Sequence, residues 1–314
     1  MDLVHILIAI IINKVISRKD ENMGIHKYEL MVSEICNLHC KHCGMSYSIN
    51  NTNNVDYEAI KQTLINESKK TSIEEIYLWG GEPLLGDLDQ ILEIMDLFPN
   101  AKFKITTNLC YKLTDKRKEI LKRCNLISTS FDIKIRFSNV KMLNLWYHNC
   151  KEVLKENNML CICTVSKETA KIDANRFINL FEKIGFTQYV FSPMVLAGET
   201  CGNIDLIPTY DEYNKFMMEV AKYKSIRNKN LILYKIRSSI ACVGLNRLFI
   251  SAKGKIYDCF VEGDCVHADT NCFGCENYKI CGGKSHCHQE CLFSKEVYEE
   301  AMRSYNDVYK ETTK

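Results

Sequence analysis

Apolar positions in the first two-thirds of the chain fall into two alternating patterns. Short runs rich in β-branched and aromatic residues, Tyr28–Val32, Glu75–Trp79, Phe103–Thr106, Leu126–Ser130, Leu160–Val165 and Tyr189–Pro193, read as strands. Between them Asp56–Lys69, Leu88–Phe98, Asp115–Arg123, Val140–Asn157 and Ala174–Lys183 carry the spacing of amphipathic helices. Strand and helix in strict alternation predict an α/β fold, a parallel sheet with helices outside it. With six such units rather than eight, the expected form is an open, partial (β/α)6 barrel. The Asn-rich stretch 49–55 reads as a loop.

The pattern changes after Pro208. Thr209–Lys222 reads as one amphipathic helix, and Leu248–Ser251 with Lys255–Tyr257 as a hairpin turning at Ala252-Lys253-Gly254. From Cys259 to Cys291 the chain reads as loop, with too little apolar surface to fold unaided; metal ligation would supply the missing stability. The expected division is therefore a helical extension over 1–27, the barrel over 28–208, and a linker helix with a small Cys-rich domain over 209–314.

Composition narrows the partners. The 314 residues are 46% apolar and 25% charged, and 41 Lys and Arg against 39 Asp and Glu leave a net charge of +2. That balance gives no electrostatic case for nucleic acid or an anionic membrane. The N-terminal run Leu3–Ile12 precedes its basic residues, the wrong order for a signal peptide, and is too short for a bilayer; it reads as a packed helix. Seventeen cysteines in a chain of this kind point to reduced thiols, a cytoplasmic location and metal binding.

Three of those thiols, Cys36, Cys40 and Cys43, directly follow the first strand in Ile35-Cys36-Asn37-Leu38-His39-Cys40-Lys41-His42-Cys43. This spacing fits a loop folded around one [4Fe–4S] cluster, with one iron left open for chemistry. A zinc knuckle with His39 or His42 as fourth ligand is the alternative. Polar residues gather at the ends of the next strands: Gly80-Gly81-Glu82-Pro83 after the second, Asn108 after the third, Ser130 and Asp132 after the fourth. Ligands of parallel α/β sheets bind at these carboxyl ends. Glycines would allow close backbone approach, and Glu82 would suit an ammonium group.

These residues resemble the radical SAM superfamily over roughly 28–208, most specifically in the cysteine triad and the Gly80-Gly81-Glu82-Pro83 turn. The resemblance implies that the open iron chelates S-adenosylmethionine (SAM). Gly80, Gly81 and Glu82 would receive the methionine amino group, and Asn108, Ser130 and Asp132 the carboxylate or ribose. A reduced cluster would then cleave SAM to a 5′-deoxyadenosyl radical, drawing electrons from a donor such as flavodoxin or ferredoxin. His42 and Gly44 stand where the family often has aromatic residues.

Cys242, Cys259, Cys265, Cys272, Cys275, Cys281, Cys287 and Cys291 form a second group, eight thiols for two further clusters. Cys242-x11-Gly254-x4-Cys259 followed by Cys272-x2-Cys275-x5-Cys281 resembles the SPASM extension of peptide-modifying radical SAM enzymes. By that resemblance Cys272, Cys275, Cys281 and Cys291 hold the distal auxiliary cluster, and Cys242, Cys259 and Cys287 the nearer one, with Cys265 as its fourth ligand. Ser285 replaces the expected fourth cysteine of the run, so His286 or His288 is a substitute, and one auxiliary cluster in a shortened domain is the alternative.

Cys124, Cys150, Cys161 and Cys163 lie on expected helices or strands and read as core residues, and Cys110 is ambiguous. Cys201, in the loop after the sixth strand, is the candidate hydrogen donor if the reaction is an epimerisation. The resulting expectation is an enzyme that modifies a ribosomally made precursor peptide by epimerisation, thioether formation or carbon–carbon crosslinking. Recognition would fall to the barrel and C-terminal surfaces or to a separate peptide-recognition protein. A radical SAM enzyme acting on a small molecule and a non-catalytic metal-binding adaptor are the alternatives.

Overall fold

The computed structural model describes residues 27–43, 52–132, 134–137, 139–194, 199, 203–222 and 248–257. Six strands run parallel: β1 (Lys27–Ser33), β2 (Glu75–Gly80), β3 (Lys102–Thr106), β4 (Leu126–Ser130), β5 (Met159–Val165) and β6 (Gln188–Pro193). They alternate with α1 (Tyr57–Ser68), α2 (Leu88–Leu97), α3 (Asp115–Arg123), α4 (Val140–Val153), the short α5 (Lys167–Ala170) and α6 (Ala174–Ile184); α7 (Tyr210–Lys222) follows. The sheet order is β6-β5-β4-β3-β2-β1-β7-β8, an open partial barrel in which each strand of the first six neighbours the next. Among the described residues no helix is long and apolar enough to cross a membrane.

Local chemistry fixes the helix ends. Asp56, Asp87, Asn139, Ser166 and Asp173 each accept a backbone N–H of the first turn, meeting donors that a helix leaves unpaired. At the far end of α6, Gly185 turns left-handed with φ 115° and donates back to Phe181 and Glu182.

The layer between sheet and helices is the core. Leu30, Ile76, Leu78, Ile105, Ile127, Cys161 and Cys163 meet Ile60, Leu64, Ile91, Ile94, Ile120, Trp146, Ile178 and Phe181 there, all essentially inaccessible to solvent. Each such aliphatic side chain contributes roughly 1.5–3 kcal/mol. Cys124 and Cys150 are buried in the same layer, which agrees with their sequence reading. Trp146 adds a buried hydrogen bond from its indole N–H to the Thr129 hydroxyl, 3.0 Å. An aromatic cluster, in which Phe216 of α7 packs on Phe177 and Phe191, joins α7 to the barrel.

The hairpin seen in the sequence belongs to the same sheet. β7 (Leu248–Ile250) pairs parallel with β1, and β8 (Ile256–Tyr257) antiparallel with β7. Its turn docks on α1: the Thr63 hydroxyl donates to the Gly254 carbonyl at 2.7 Å, and Asp56 N–H to the Ala252 carbonyl at 2.7 Å. Gly254 has φ 74°, and a Cβ there would stand 2.7 Å from the Ala59 carbonyl carbon. A side chain at this position would be strained by the backbone and blocked by the helix.

Candidate functional site

The cysteine loop leaves β1 and is fastened to four other strand ends. From β2, Gly81 N–H donates to the Ser33 carbonyl (2.8 Å) and Glu82 N–H to the Ile35 carbonyl (2.7 Å). From beyond β3, Cys110 accepts the Asn37 side-chain amide at 2.7 Å, while Asn108 donates to the Asn37 side-chain oxygen at 2.8 Å and toward Cys36 Sγ at 3.7 Å. After β4, the Ile135 carbonyl accepts Lys41 N–H (3.1 Å). After β6, Glu199 N–H donates to the Cys43 carbonyl (3.0 Å). The triad therefore stands at the carboxyl edge of the sheet, where the sequence reading expected it.

The two glycines of the turn serve an approach of protein to protein. Gly80 has φ 141°, and a Cβ on it would lie 2.2 Å from the Ser33 carbonyl oxygen; one on Gly81 would lie 2.5 Å from that of Ile35. Only bare backbone lets the end of β2 lie this close to the start of the loop.

Glu82 is 1% exposed. One carboxylate oxygen accepts the Leu84 N–H (3.2 Å) and the Thr107 hydroxyl (2.7 Å), and the other accepts the Asn108 N–H (2.6 Å). The carboxylate thus ties the β2 turn to the end of β3. Burial pushes its pKa up to about 7, against the downward pull of the Asn108, Thr107 and Leu84 bonds.

Asp132, wholly buried, forms a second junction. One oxygen accepts the Thr164 N–H from β5 (2.6 Å); the other meets Arg136 Nε (2.5 Å) and His42 Nε2 (3.3 Å). Arg136 Nη2 lies 3.3 Å from the same His42 nitrogen. Burial alone would raise the Asp132 pKa, but Arg136 foremost and then His42 hold it well below the usual carboxylate range. Ser130, nearly buried, ends β4 two residues before it.

Sequence reasoning did not single out Asn37, Thr107 or Arg136. Asn37 and Thr107 lie beside residues it did name. Arg136 stands four residues after Asp132, a helix-like spacing in a segment that was not read as a helix.

The donor set fits an iron–sulfur cluster. The described cysteines are thiols, with no disulfide among them. Burial pushes Cys36 up to about 11, and the neighbouring Glu82, Cys40 and Cys43 add to it. Burial also raises Cys40. Thiols raised in this way hold their protons near neutral pH, so metal uptake would release protons. His42 Nδ1 is buried and has no hydrogen-bond partner among the described residues. Among the described residues no three His, Cys, Asp or Glu side chains close on the spacing that one metal ion needs; a four-iron cluster holds its thiolates wider apart.

Cys201 and the auxiliary-cluster candidates Cys242, Cys259, Cys265, Cys272, Cys275, Cys281, Cys287 and Cys291 lie outside the described residues, as does the helical extension over 1–26.

Comparison with known proteins agrees with this geometry. The sequence model of the Radical SAM superfamily matches residues 30–144. The 7-carboxy-7-deazaguanine synthase of Clostridium acetobutylicum is 29% identical over 126 residues, which are 38% of this chain and 54% of that enzyme, so the match spans about half of its length. A probable GTP 3′,8-cyclase of Sulfurisphaera tokodaii is 24% identical over 262 residues, 77% of this chain and 83% of the cyclase. Among solved structures, anSMEcpe with bound AdoMet and the Kp18Cys peptide superposes with a TM-score of 0.62 at 17% identity, over 90% of this chain and 95% of that one. Streptococcus suis SuiB bound to its precursor peptide SuiA gives 0.58 at 13% identity, over 91% and 68%. At these identities the structural likeness is one of fold.

Proposed function

We propose that this chain is a radical SAM enzyme acting on a ribosomally made peptide. The observation that carries the enzymatic part is the Cys36-Cys40-Cys43 loop, held by two backbone hydrogen bonds against the Gly80-Gly81-Glu82 turn at the carboxyl edge of a parallel sheet. Cys36, Cys40 and Cys43 would hold the cluster. When bound, it supplies the electron that cleaves SAM to methionine and a 5′-deoxyadenosyl radical.

The chain's own residues orient and enclose. Backbone carbonyls of the Gly80–Glu82 turn would receive the methionine amino group, and Glu82 fixes that turn through its three accepted hydrogen bonds. Asn108 holds the loop through Asn37, and Ser130, at the end of β4, would contact the ribose or carboxylate. Burial of Cys40 and of the Glu82 and Asp132 junctions would limit water on the inner side of the reacting centre.

A peptide substrate is supported by the fold likeness to two proteins solved with peptides bound. The eight C-terminal cysteines support one or two auxiliary [4Fe–4S] clusters in a SPASM-type segment. Flavodoxin or ferredoxin would provide the electrons, in the cytoplasm. A second reading, a small-molecule substrate, draws on the similarity to the cyclase, which spans 77% of this chain.

Anaerobic reconstitution with iron and sulfide tests the proposal. The wild type should turn brown and form 5′-deoxyadenosine from SAM and a reductant. Replacing Cys36, Cys40 and Cys43 together with Ala should abolish that product. With two auxiliary clusters the variant should keep about two-thirds of the iron, and with one about half. A variant that still cleaved SAM would overturn the assignment.

A further inference from the structure

Arg136 has no part in the motifs, yet it is placed as if for the cysteine loop. Lys41 and His42 are the residues between Cys40 and Cys43, and both are held from the segment that follows β4. Lys41 N–H donates to the Ile135 carbonyl at 3.1 Å, and His42 Nε2 lies 3.3 Å from both Arg136 Nη2 and Asp132 Oδ2. Asp132 holds the guanidinium by its Nε at 2.5 Å and is itself anchored by Thr164 N–H of β5. The Arg136 side chain is 15% exposed and that of Asp132 wholly buried.

We propose that Arg136 is a positioning and electrostatic residue for the cluster: a fixed cation, oriented by Asp132, that stands beside the Cys40–Cys43 half of the loop and favours the reduced cluster. The inference rests on the reading of the triad as cluster ligands. Reduction adds a negative charge to a centre already surrounded by thiolates, and a nearby cation stabilises that state more than the oxidised one. The neighbouring charges agree in direction. Burial would lower the Arg136 pKa, but Asp132 first, then Cys40 and Cys43, hold it above its ordinary value.

The test is a redox titration of the reconstituted protein, without SAM, with the reduced cluster followed by electron paramagnetic resonance. It is run in a background in which the auxiliary candidates Cys272, Cys275 and Cys281 are replaced by Ala, and again in the full protein. Arg136→Gln should lower the ratio of reduced to oxidised cluster at a fixed potential about tenfold, a midpoint about 59 mV more negative. Arg136→Lys should restore most of the shift. The double change Asp132→Asn with Arg136→Gln leaves no buried charge unpaired, and it should move the midpoint in the same direction by less. A wild-type midpoint in Arg136→Gln would overturn the inference while leaving the cluster assignment intact. Loss of the cluster from both the single and the double variant, with circular dichroism unchanged, would also overturn it and leave Arg136 a purely structural residue. A wild type with no reducible cluster would instead remove the reading beneath it.

Discussion

Replacing Glu82 with Gln is the sharpest probe of how the site is held together. The folded protein raises this carboxyl from 4.5 to about 7, because burial outweighs the three hydrogen bonds it accepts. At 1.36 kcal/mol per pKa unit the difference amounts to about 3 kcal/mol. Its sign is fixed by linkage. Between pH 4.5 and 7 the folded form keeps a proton that the unfolded chain has released, so the contribution of this group is fully present below pH 4.5 and is lost as pH rises through 7. Gln has no such proton. It also has one oxygen where Glu82 has two, so one of the Leu84 and Asn108 N–H groups meets an amide N–H instead, at a cost of about 1–3 kcal/mol that does not vary with pH. Urea unfolding of the metal-free, reduced protein, followed by circular dichroism from pH 4.5 to 8, separates the two effects. The stability difference, wild type minus variant, should fall by about 3 kcal/mol across that range and then level off. Parallel pH profiles would refute the reasoning, since they would mean that Glu82 titrates alike in the folded and unfolded chain.

Two further outcomes are expected. Gly254→Ala forces a side chain onto a left-handed backbone 2.7 Å from the Ala59 carbonyl carbon; it should destabilise the hairpin by about 1–3 kcal/mol, seen as faster hydrogen exchange in 248–257, and unchanged protection there would contradict the docking argument. If the reaction is an epimerisation, Cys201→Ala should still cleave SAM but fail to deliver the inverted residue, and wild-type product made in heavy water should carry deuterium at the inverted carbon; normal product from the variant would remove Cys201 from the chemistry.

The strands were legible because a strand covered on both faces writes its burial into a short run of adjacent residues, as in β1 and β4. Leu126–Ser130 and Asp115–Arg123 have the same limits in sequence and structure, and the other ends coincide or differ by one residue. Helix α4 is the exception: the expected helix ran on to Asn157, but regular structure stops at Val153, where Leu154 caps it and a turn follows. The placement of β7 was not legible, because an apolar triplet does not state which sheet edge it will join. The contacts of the site were hidden for a related reason. His42 and Arg136 are 94 positions apart, and Asn37 and Asn108 71 apart, so no local pattern links them. The glycines were visible, but their neighbour was not: the space at Gly80 and Gly81 is taken by the backbone of Ser33 and Ile35.

The fastening of the cysteine loop bears on how the metal centre would be made. The ties of that loop to Gly81, Glu82, Asn108, Cys110, Ile135 and Glu199 are hydrogen bonds between protein groups. In a zinc finger the metal organises the chain, and ligation and folding are one event. Here hydrogen bonds between protein groups also hold the loop, so if the triad takes iron, part of the entropy of ordering it would be spent during folding rather than at loading. A maturation system would then meet a rigid acceptor, and a protein stripped of iron at this site would keep the shape needed to be loaded again.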